Sequence, residues 1–300
     1  MWSPDPAWRA LPGGAGASTY GVWLAEERGR ELIVKRLAPP APGDPAECAD
    51  PRSVAYWRRG ADVAADGLVA DTVGLRAARA VRVEEDAEGV TVVVERVPPV
   101  ANPGPFVARS LGIFAGVELP DRPWLARGQL RDRLARVARR GGWPTLGRTP
   151  VADVADHLWS RREGYLARLD ELPQVAQHGD PVPTNLLGRE GDAVVAIDWG
   201  TLGWGPAGAD VGYYSLSARE EFEPLVDAYL GGLPAALATR AQVVLGARVS
   251  AVFTALSRAE WALARVAHGE GALAGKFRHP SVAPYLRALQ RQLPQVEALL

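Results

Sequence analysis

An aspartate, an asparagine and a second aspartate stand close together in this chain, within Gln177-His178-Gly179-Asp180-Pro181-Val182-Pro183-Thr184-Asn185-Leu186-Leu187 and Val194-Val195-Ala196-Ile197-Asp198-Trp199-Gly200. Phosphoryl transfer needs that set: one acidic group to receive a hydroxyl proton and two oxygen ligands to hold magnesium. Leu186-Leu187 and residues 193–197 are apolar runs of strand type. Arg189-Glu190-Gly191-Asp192 between them has the composition of a turn. A two-residue turn at Glu190-Gly191 would pair Asn185 with Ala196 and Pro183 with Asp198. Asn185 and Asp198 would then be diagonal neighbours, about 7–8 Å apart at Cα, within reach of one cation. Pro181 and Pro183 disfavour helix and regular strand, so Asp180 is expected on a stiff loop. Any one of the three acids or amides could be an ordinary turn residue; three joined by a strand, a turn and a strand point to a site.

Two further features could serve the same chemistry. Leu11-Pro12-Gly13-Gly14-Ala15-Gly16-Ala17-Ser18 is a glycine-rich loop, and Gly13, Gly14 and Gly16 would let backbone N–H groups approach phosphates. Lys35, in Leu32-Ile33-Val34-Lys35-Arg36-Leu37, falls on the second strand after that loop, where its ammonium could neutralise phosphates. Only Lys35 and Lys276 of the 34 basic residues are lysine, a hint that Lys35 is kept for a reason other than charge. No G-x-x-x-x-G-K-[ST] sequence occurs, which excludes a P-loop NTPase.

The elements that must carry these residues divide the chain. Residues 1–100 are strand-rich: Thr19–Ala25 and Glu31–Leu37 form a hairpin, a Pro-rich stretch leads to a helix over Arg52–Ala65, and Val81–Val83 and Val90–Val97 are two more strands. Pro98-Pro99 punctuates the chain. Residues 101–300 are mainly helical, with helices expected at 106–116, 126–139, 151–172, 207–216, 223–230, 235–268 and 281–300. The expected fold class is α+β, with a small β-rich lobe, a hinge, and a larger helical lobe that carries the catalytic hairpin.

The order glycine-rich loop, strand lysine, hinge, His-x-Asp-x4-Asn, then Ile-Asp-Trp resembles the aminoglycoside phosphotransferase and choline kinase group of protein-kinase-like enzymes. Gly205-Pro206-Ala207-Gly208-Ala209-Asp210 also looks like that group's G-x-x-x-x-D segment. The resemblance runs over about residues 11–212 and is most specific from His178 to Asp210. It implies a small-molecule kinase that moves the γ-phosphoryl of ATP or GTP to a hydroxyl. Asp180 would be the catalytic base, Asn185 and Asp198 the magnesium ligands, and Lys35 a phosphate contact. Glu95 and Val97, in Val94-Glu95-Arg96-Val97, would line the hinge beside the purine. His178 and Asp210 would brace the loop, and Trp199 and Trp204 would pack. One departure stands out: kinase-like folds pair the strand lysine with a helix glutamate, and Gly60 occupies that place. Glu47 and Asp62 are the nearest substitutes in sequence.

Composition narrows the alternatives. A net charge of -1 and 47% hydrophobic content fit a globular chain and give no electrostatic case for nucleic acid or anionic membrane. The N-terminal residues lack a signal-peptide pattern, and the apolar stretch 243–266 is interrupted by Arg248, Arg258, Glu260 and Arg265, so a cytoplasmic, non-membrane protein is expected. A single cysteine, Cys48, excludes an intrachain disulfide and multi-Cys zinc sites. Glu220, Glu221, Glu223 and Asp227 could attract a cationic acceptor or be a solvated helix face. Two other functions compete: a catalytically impaired kinase-fold protein that binds nucleotide or metabolite, motivated by Gly60, and a metal hydrolase using His178, Asp180 and Asp198. The scatter of His157, His268 and His279 counts against the latter.

Overall fold

The computed structural model describes residues 2–12, 18–140, 150–266, 280 and 282–299. Gly13, Gly14, Gly16, Lys276, His268 and His279 lie outside them.

Alternation of β-branched and polar residues builds an antiparallel sheet first. Strands β1 (Arg9–Ala10), β2 (Thr19–Glu27), β3 (Arg30–Leu37), β5 (Ala80–Asp86) and β6 (Gly89–Glu95) lie in the order β1-β2-β3-β6-β5. Arg28 and Gly29, both with positive φ (53° and 75°), make the β2–β3 turn, the backbone a tight right-twisted hairpin requires. Successive side chains of β3 face opposite ways. Leu32 and Val34 bury with Trp23, Ala25 and Val93 under Trp2 and Trp8, while Leu37 packs on the other face with Val90, Val92 and Ala61. Lys35, in register with Val22 and Val92, belongs to that second face.

Ala61 comes from helix α1 (Arg59–Asp66), half the length expected from the sequence. Residues 51–58 fold as turns instead, starting at Pro51, where Asp50 and Ser53 accept backbone N–H groups from Arg52 and Ala55 through their side chains. Such local bonds compete with the helix ladder. Gly67, at φ 69°, closes α1.

A short strand that the periodicity did not show, β4 (Leu75–Ala77), lies outside the first sheet and pairs in parallel with β9 (Ala193–Ala196), which pairs in turn with β8 (Gly188–Glu190). The strand-rich third of the chain therefore supplies one edge of the sheet that carries the hairpin. Strands β7 (Gln174–Gln177) and β10 (Gly203–Pro206) form a separate two-stranded ribbon. Both were also missed from sequence, being four residues each and, in β10, glycine-rich.

The helices are α2 (Gly104–Ala115), α3 (Gln129–Arg139), α4 (Pro150–Ser160), α5 (Arg162–Asp170), α6 (Ala209–Ser215), α7 (Phe222–Leu230), α8 (Arg240–Val266), α9 (Ala283–Arg291) and α10 (Leu293–Glu297). Two expected single helices are broken. The 151–172 segment breaks at Arg161, whose backbone leaves helical geometry, and the 281–300 segment at Gln292, with Pro294 unable to donate a helical N–H. A large core joins α2, α6 and α7 to the β4–β9 strands through Leu75, Leu111, Phe114, Val194, Trp199 and Leu225. A second core, along α8, joins α5, α6 and α9. Among the described residues no helix is long and apolar enough to cross a membrane.

Candidate active site

Asp180 sits where β7 ends. The turn into its loop needs Gly179: its φ is 81°, and a Cβ there would lie 2.3 Å from the Gln129 amide and 2.6 Å from the Thr201 carbonyl. Asp210, at the start of α6, fixes the loop from below, its two carboxylate oxygens accepting the backbone N–H groups of His178 (2.8 Å) and Gly179 (3.0 Å). Burial pushes the Asp210 carboxyl up to about 6, against the lowering effect of His178 and those two amides. His178 is fully buried. Its Nδ1 accepts the Asp180 N–H (3.2 Å), which assigns the proton to Nε2, and Nε2 lies 3.0 Å from the Ile197 carbonyl. The imidazole is thus a brace between the Asp180 loop and the strand leading to Asp198, tilted against Trp199 with ring centroids 4.7 Å apart.

The Asp180 carboxylate is held at both oxygens. Oδ2 accepts from Asn185 Nδ2 at 3.1 Å, and Oδ1 accepts from the Tyr213 hydroxyl. The Asn185 amide also donates to the Asp180 carbonyl at 3.0 Å, which leaves the Asn185 Oδ1 as its free acceptor. Tyr213 was not singled out from sequence, though it stands three residues after Asp210 in an expected helix and so shares its face. Burial, reinforced by Asp180, pushes its hydroxyl up to about 12 despite Arg133 and Arg258, so it is a hydrogen-bond donor at neutral pH. The guanidiniums of Arg133 and Arg258 lie over its ring at 5.1 and 5.0 Å, and Arg133 donates to the Gly179 carbonyl. No sequence signal distinguished these two arginines from the other thirty.

The hairpin register differs from the expected one by a step of the turn. Glu190 pairs with Ala193, Arg189 with Val194 and Gly188 with Val195. The two turn residues are Gly191 and Asp192, because Gly191 takes the positive φ (57°) that a Glu would adopt only under strain. The ladder ends at Gly188 and Val195; beyond it Asn185 sits in a turn, its carbonyl accepting the Ile197 N–H at 2.8 Å, which ties it to the residue before Asp198. Leu186-Leu187 precede the strand instead of forming it, and Leu186 enters the core.

Asp198 is one of two described non-glycine residues with positive φ (60°), a conformation that costs about 1–2 kcal/mol and is imposed here by β9 before it and the one-turn helix Trp199–Thr201 after it. Its Oδ1 accepts from Lys35 Nζ at 2.8 Å. Desolvation pushes the Asp198 carboxyl up, but the charge and hydrogen bond of Lys35, helped by His178, outweigh it and hold the group below the ordinary carboxylate value. Lys35 thus has an acidic partner, and it is not on a helix. Glu47 binds Arg136 and Arg139, and Asp62 binds Arg58 at 2.9 Å. Gly60 lies on α1 with open space at its Cβ, the nearest atom being the Gly200 nitrogen at 4.0 Å.

The structure therefore brings Lys35, Asp180, Asn185 and Asp198 together. Glu95 ends β6 with its carboxylate between Arg30 and Arg79, both at 3.4 Å, and its N–H on the Arg79 carbonyl. Val97 packs on Gly188. Trp199 is core, bonding Ala196 through its indole N–H, and Trp204 packs partly buried against the same core. Most of the acidic run is engaged elsewhere: Glu220 accepts the Gly104 N–H at the start of α2, and Glu223 and Asp227 pair with Arg240 and Arg248, while Glu221 precedes α7 without a side-chain cap bond.

Among the described residues no three His, Cys, Asp or Glu side chains cluster as a metal site. One carboxylate and one amide oxygen fit magnesium, which keeps most of its ligands from phosphate and water. They do not fit a zinc hydrolase.

The model of the phosphotransferase enzyme family matches residues 7–243. No curated protein matches the chain by sequence. Among solved structures, a choline/ethanolamine kinase family protein from Mesorhizobium loti is 17% identical, with a TM-score of 0.58 over 99% of this chain and 93% of that one. Choline kinase LicA from Streptococcus pneumoniae is 13% identical, with a TM-score of 0.58 over 97% and 94%. The GDP and kanamycin complex of APH(2")-IIia is 14% identical, with a TM-score of 0.61 over 97% and 94%.

Proposed function

The chain belongs to the phosphotransferase enzyme family and has its two-lobed, protein-kinase-like α+β fold, and from that premise we propose that it transfers the γ-phosphoryl group of ATP or GTP to a hydroxyl of a small molecule. The observation that carries the reading is the Asp180 carboxylate, fixed between Asn185 and Tyr213, across the hairpin from an Asp198 that meets Lys35. Asp180 orients the acceptor hydroxyl and receives its proton as the oxygen bonds to the γ-phosphorus. The bond from that phosphorus to the bridging oxygen breaks, and the nucleoside diphosphate leaves with the electron pair. Lys35 keeps one N–H on Asp198 and has two more donors for the phosphates. Asn185 Oδ1 and Asp198 are the residues that would hold magnesium, which supplies charge neutralisation on the phosphate oxygens. Residues 1–100 would contribute the nucleotide side, with the backbone of the hinge near Glu95 and Val97 beside the base and Gly13, Gly14 and Gly16 over the phosphates; residues 101–300 would contribute the acceptor side.

The surroundings of Asp180 support a neutral or anionic acceptor. Beside it stand Tyr213 and two guanidiniums, and Arg258 carries no ion pair among the described residues. Three of the four carboxylates that could have drawn a cation, Glu220, Glu223 and Asp227, are engaged by α2, Arg240 and Arg248.

Magnesium-dependent ADP or GDP release is the test, across hydroxylated acceptors of positive, neutral and negative charge. Asp180→Asn should lower turnover by roughly 100-fold or more with nucleotide binding retained. Gly60 favours a second reading, a protein of this fold that binds nucleotide without turnover; tight magnesium-nucleotide binding and silence across the whole panel would establish it instead.

A further inference from the structure

Arg59 heads the fully buried side chains of this protein, with no exposed surface. Four of its donor positions are filled by backbone carbonyls: Nε by Trp124 (2.5 Å), Nη1 by Gly200 (2.8 Å), and Nη2 by Pro51 (2.7 Å) and Ser53 (2.6 Å). A guanidinium presents five N–H donors in a rigid fork, so this one is nearly saturated without a carboxylate. Burial without a directly bonded carboxylate is costly and, against the raising effect of Tyr56, Asp132, Asp62 and Asp50, holds the group down at about 10, still protonated at neutral pH. Short charge-assisted bonds from four carbonyls offset that cost.

The four carbonyls come from three separate parts of the chain. Pro51 and Ser53 lie in the turns before α1, Trp124 lies in the segment before α3, and Gly200 lies two residues after Asp198, inside the one-turn helix that holds the Asp198 backbone at its positive φ. Arg59 itself opens α1, next to Gly60. In a kinase with a Lys–Glu pair, an ion pair ties this helix to the strand lysine. Here the tie runs from the helix to the other member of the site.

We infer that Arg59 is a positioning residue: it fastens the Asp198–Gly200 turn to α1 through the Gly200 carbonyl, so that the metal-ligand carboxylate is fixed by the helix and Lys35 is fixed in turn by Asp198. The inference rests on the reading of Asp198 as a magnesium ligand. It explains how the chain dispenses with a glutamate at position 60. The lysine takes its orientation from Asp198, which is itself anchored, and needs no carboxylate on the helix. A role confined to packing would hold residues 51–53 against α1 and leave the metal turn indifferent to Arg59.

Calorimetric titration of ADP into the full-length protein, with excess magnesium and with EDTA, separates these roles. Arg59→Lys keeps the charge and loses the fork; Arg59→Met keeps the length and loses every donor. For both variants the magnesium-dependent part of ADP affinity should fall roughly tenfold or more while metal-free ADP binding stays within about twofold, with Lys the milder. Equal weakening in both buffers, or unchanged magnesium-dependent affinity in a folded variant, overturns the inference. Should neither variant fold, hydrogen exchange on the wild-type chain decides: magnesium-ADP should slow exchange in residues 59–64 together with residues 199–202, and protection of the turn without α1 overturns it. Wild-type protein that binds ADP equally well with and without magnesium removes the metal reading of Asp198, and the inference with it.

Discussion

At the scale of single residues, the site is a set of side chains held in place by named neighbours. Asp180 is useful as a base because it cannot wander: Asn185 and Tyr213 occupy one oxygen each. A hydrogen bond to a charged group contributes about 1.5–3 kcal/mol, so Tyr213→Phe should lower kcat by roughly tenfold or more, with the nucleotide KM little changed; steady-state kinetics checks it. Asp210 predicts a pH effect with a definite sign. Its folded value of about 6 lies above its ordinary 3.8, so between those values the folded state binds more protons than the unfolded one. The stabilisation this provides is complete below 3.8 and is lost as pH rises through about 6. Urea unfolding at several pH values from 4 to 7 should show this slope in the wild type and its loss in Asp210→Asn. Gly60 has room for a side chain at ordinary helical φ, so Gly60→Ala should stabilise the protein by about 0.5–1 kcal/mol, read from urea midpoints.

At the scale of elements, placement follows from short pieces of backbone more than from long ones. The β8–β9 hairpin turns at Gly191 because that residue adopts a conformation its neighbour Glu190 resists, which moved the register from the one its turn composition suggested, and at the open end the Ile197 N–H ties Asn185 to the residue before Asp198. Helix α1 is short because polar side chains before it capture backbone amides, and its first residue reaches Gly200. The loop of Asp180 turns on Gly179, where a methyl group would meet the Thr201 carbonyl. Gly179→Ala should therefore destabilise the protein by about 1–3 kcal/mol and reduce activity more than stability alone explains; thermal unfolding alongside turnover separates the two.

At the scale of the whole molecule, the strand-rich and helical parts share a sheet. Leu75 of β4, fully buried and paired with Val194, sits in the large core with Leu111, Phe114 and Trp199. Leu75→Ala should cost about 2–5 kcal/mol and loosen the seating of Asp198, seen as a lowered unfolding midpoint with weaker magnesium-nucleotide binding.

The candidate residues, their order along the chain and the four longer strands of the first sheet were legible in the sequence, because proton acceptors, oxygen ligands and alternating apolar patterns are properties of local residue type and spacing. The short strands β1, β4, β7 and β10 were not, since two to four residues carry too little periodicity. Nor were the partners. That Lys35 would meet Asp198, that Tyr213 would hold Asp180, and that a buried Arg59 would grip the turn between them depend on contacts across 33 to 163 positions of chain. The sequence names the groups that could move a phosphoryl group. Which group orients which is decided only when the core closes and leaves each buried charge one place to find its hydrogen bonds.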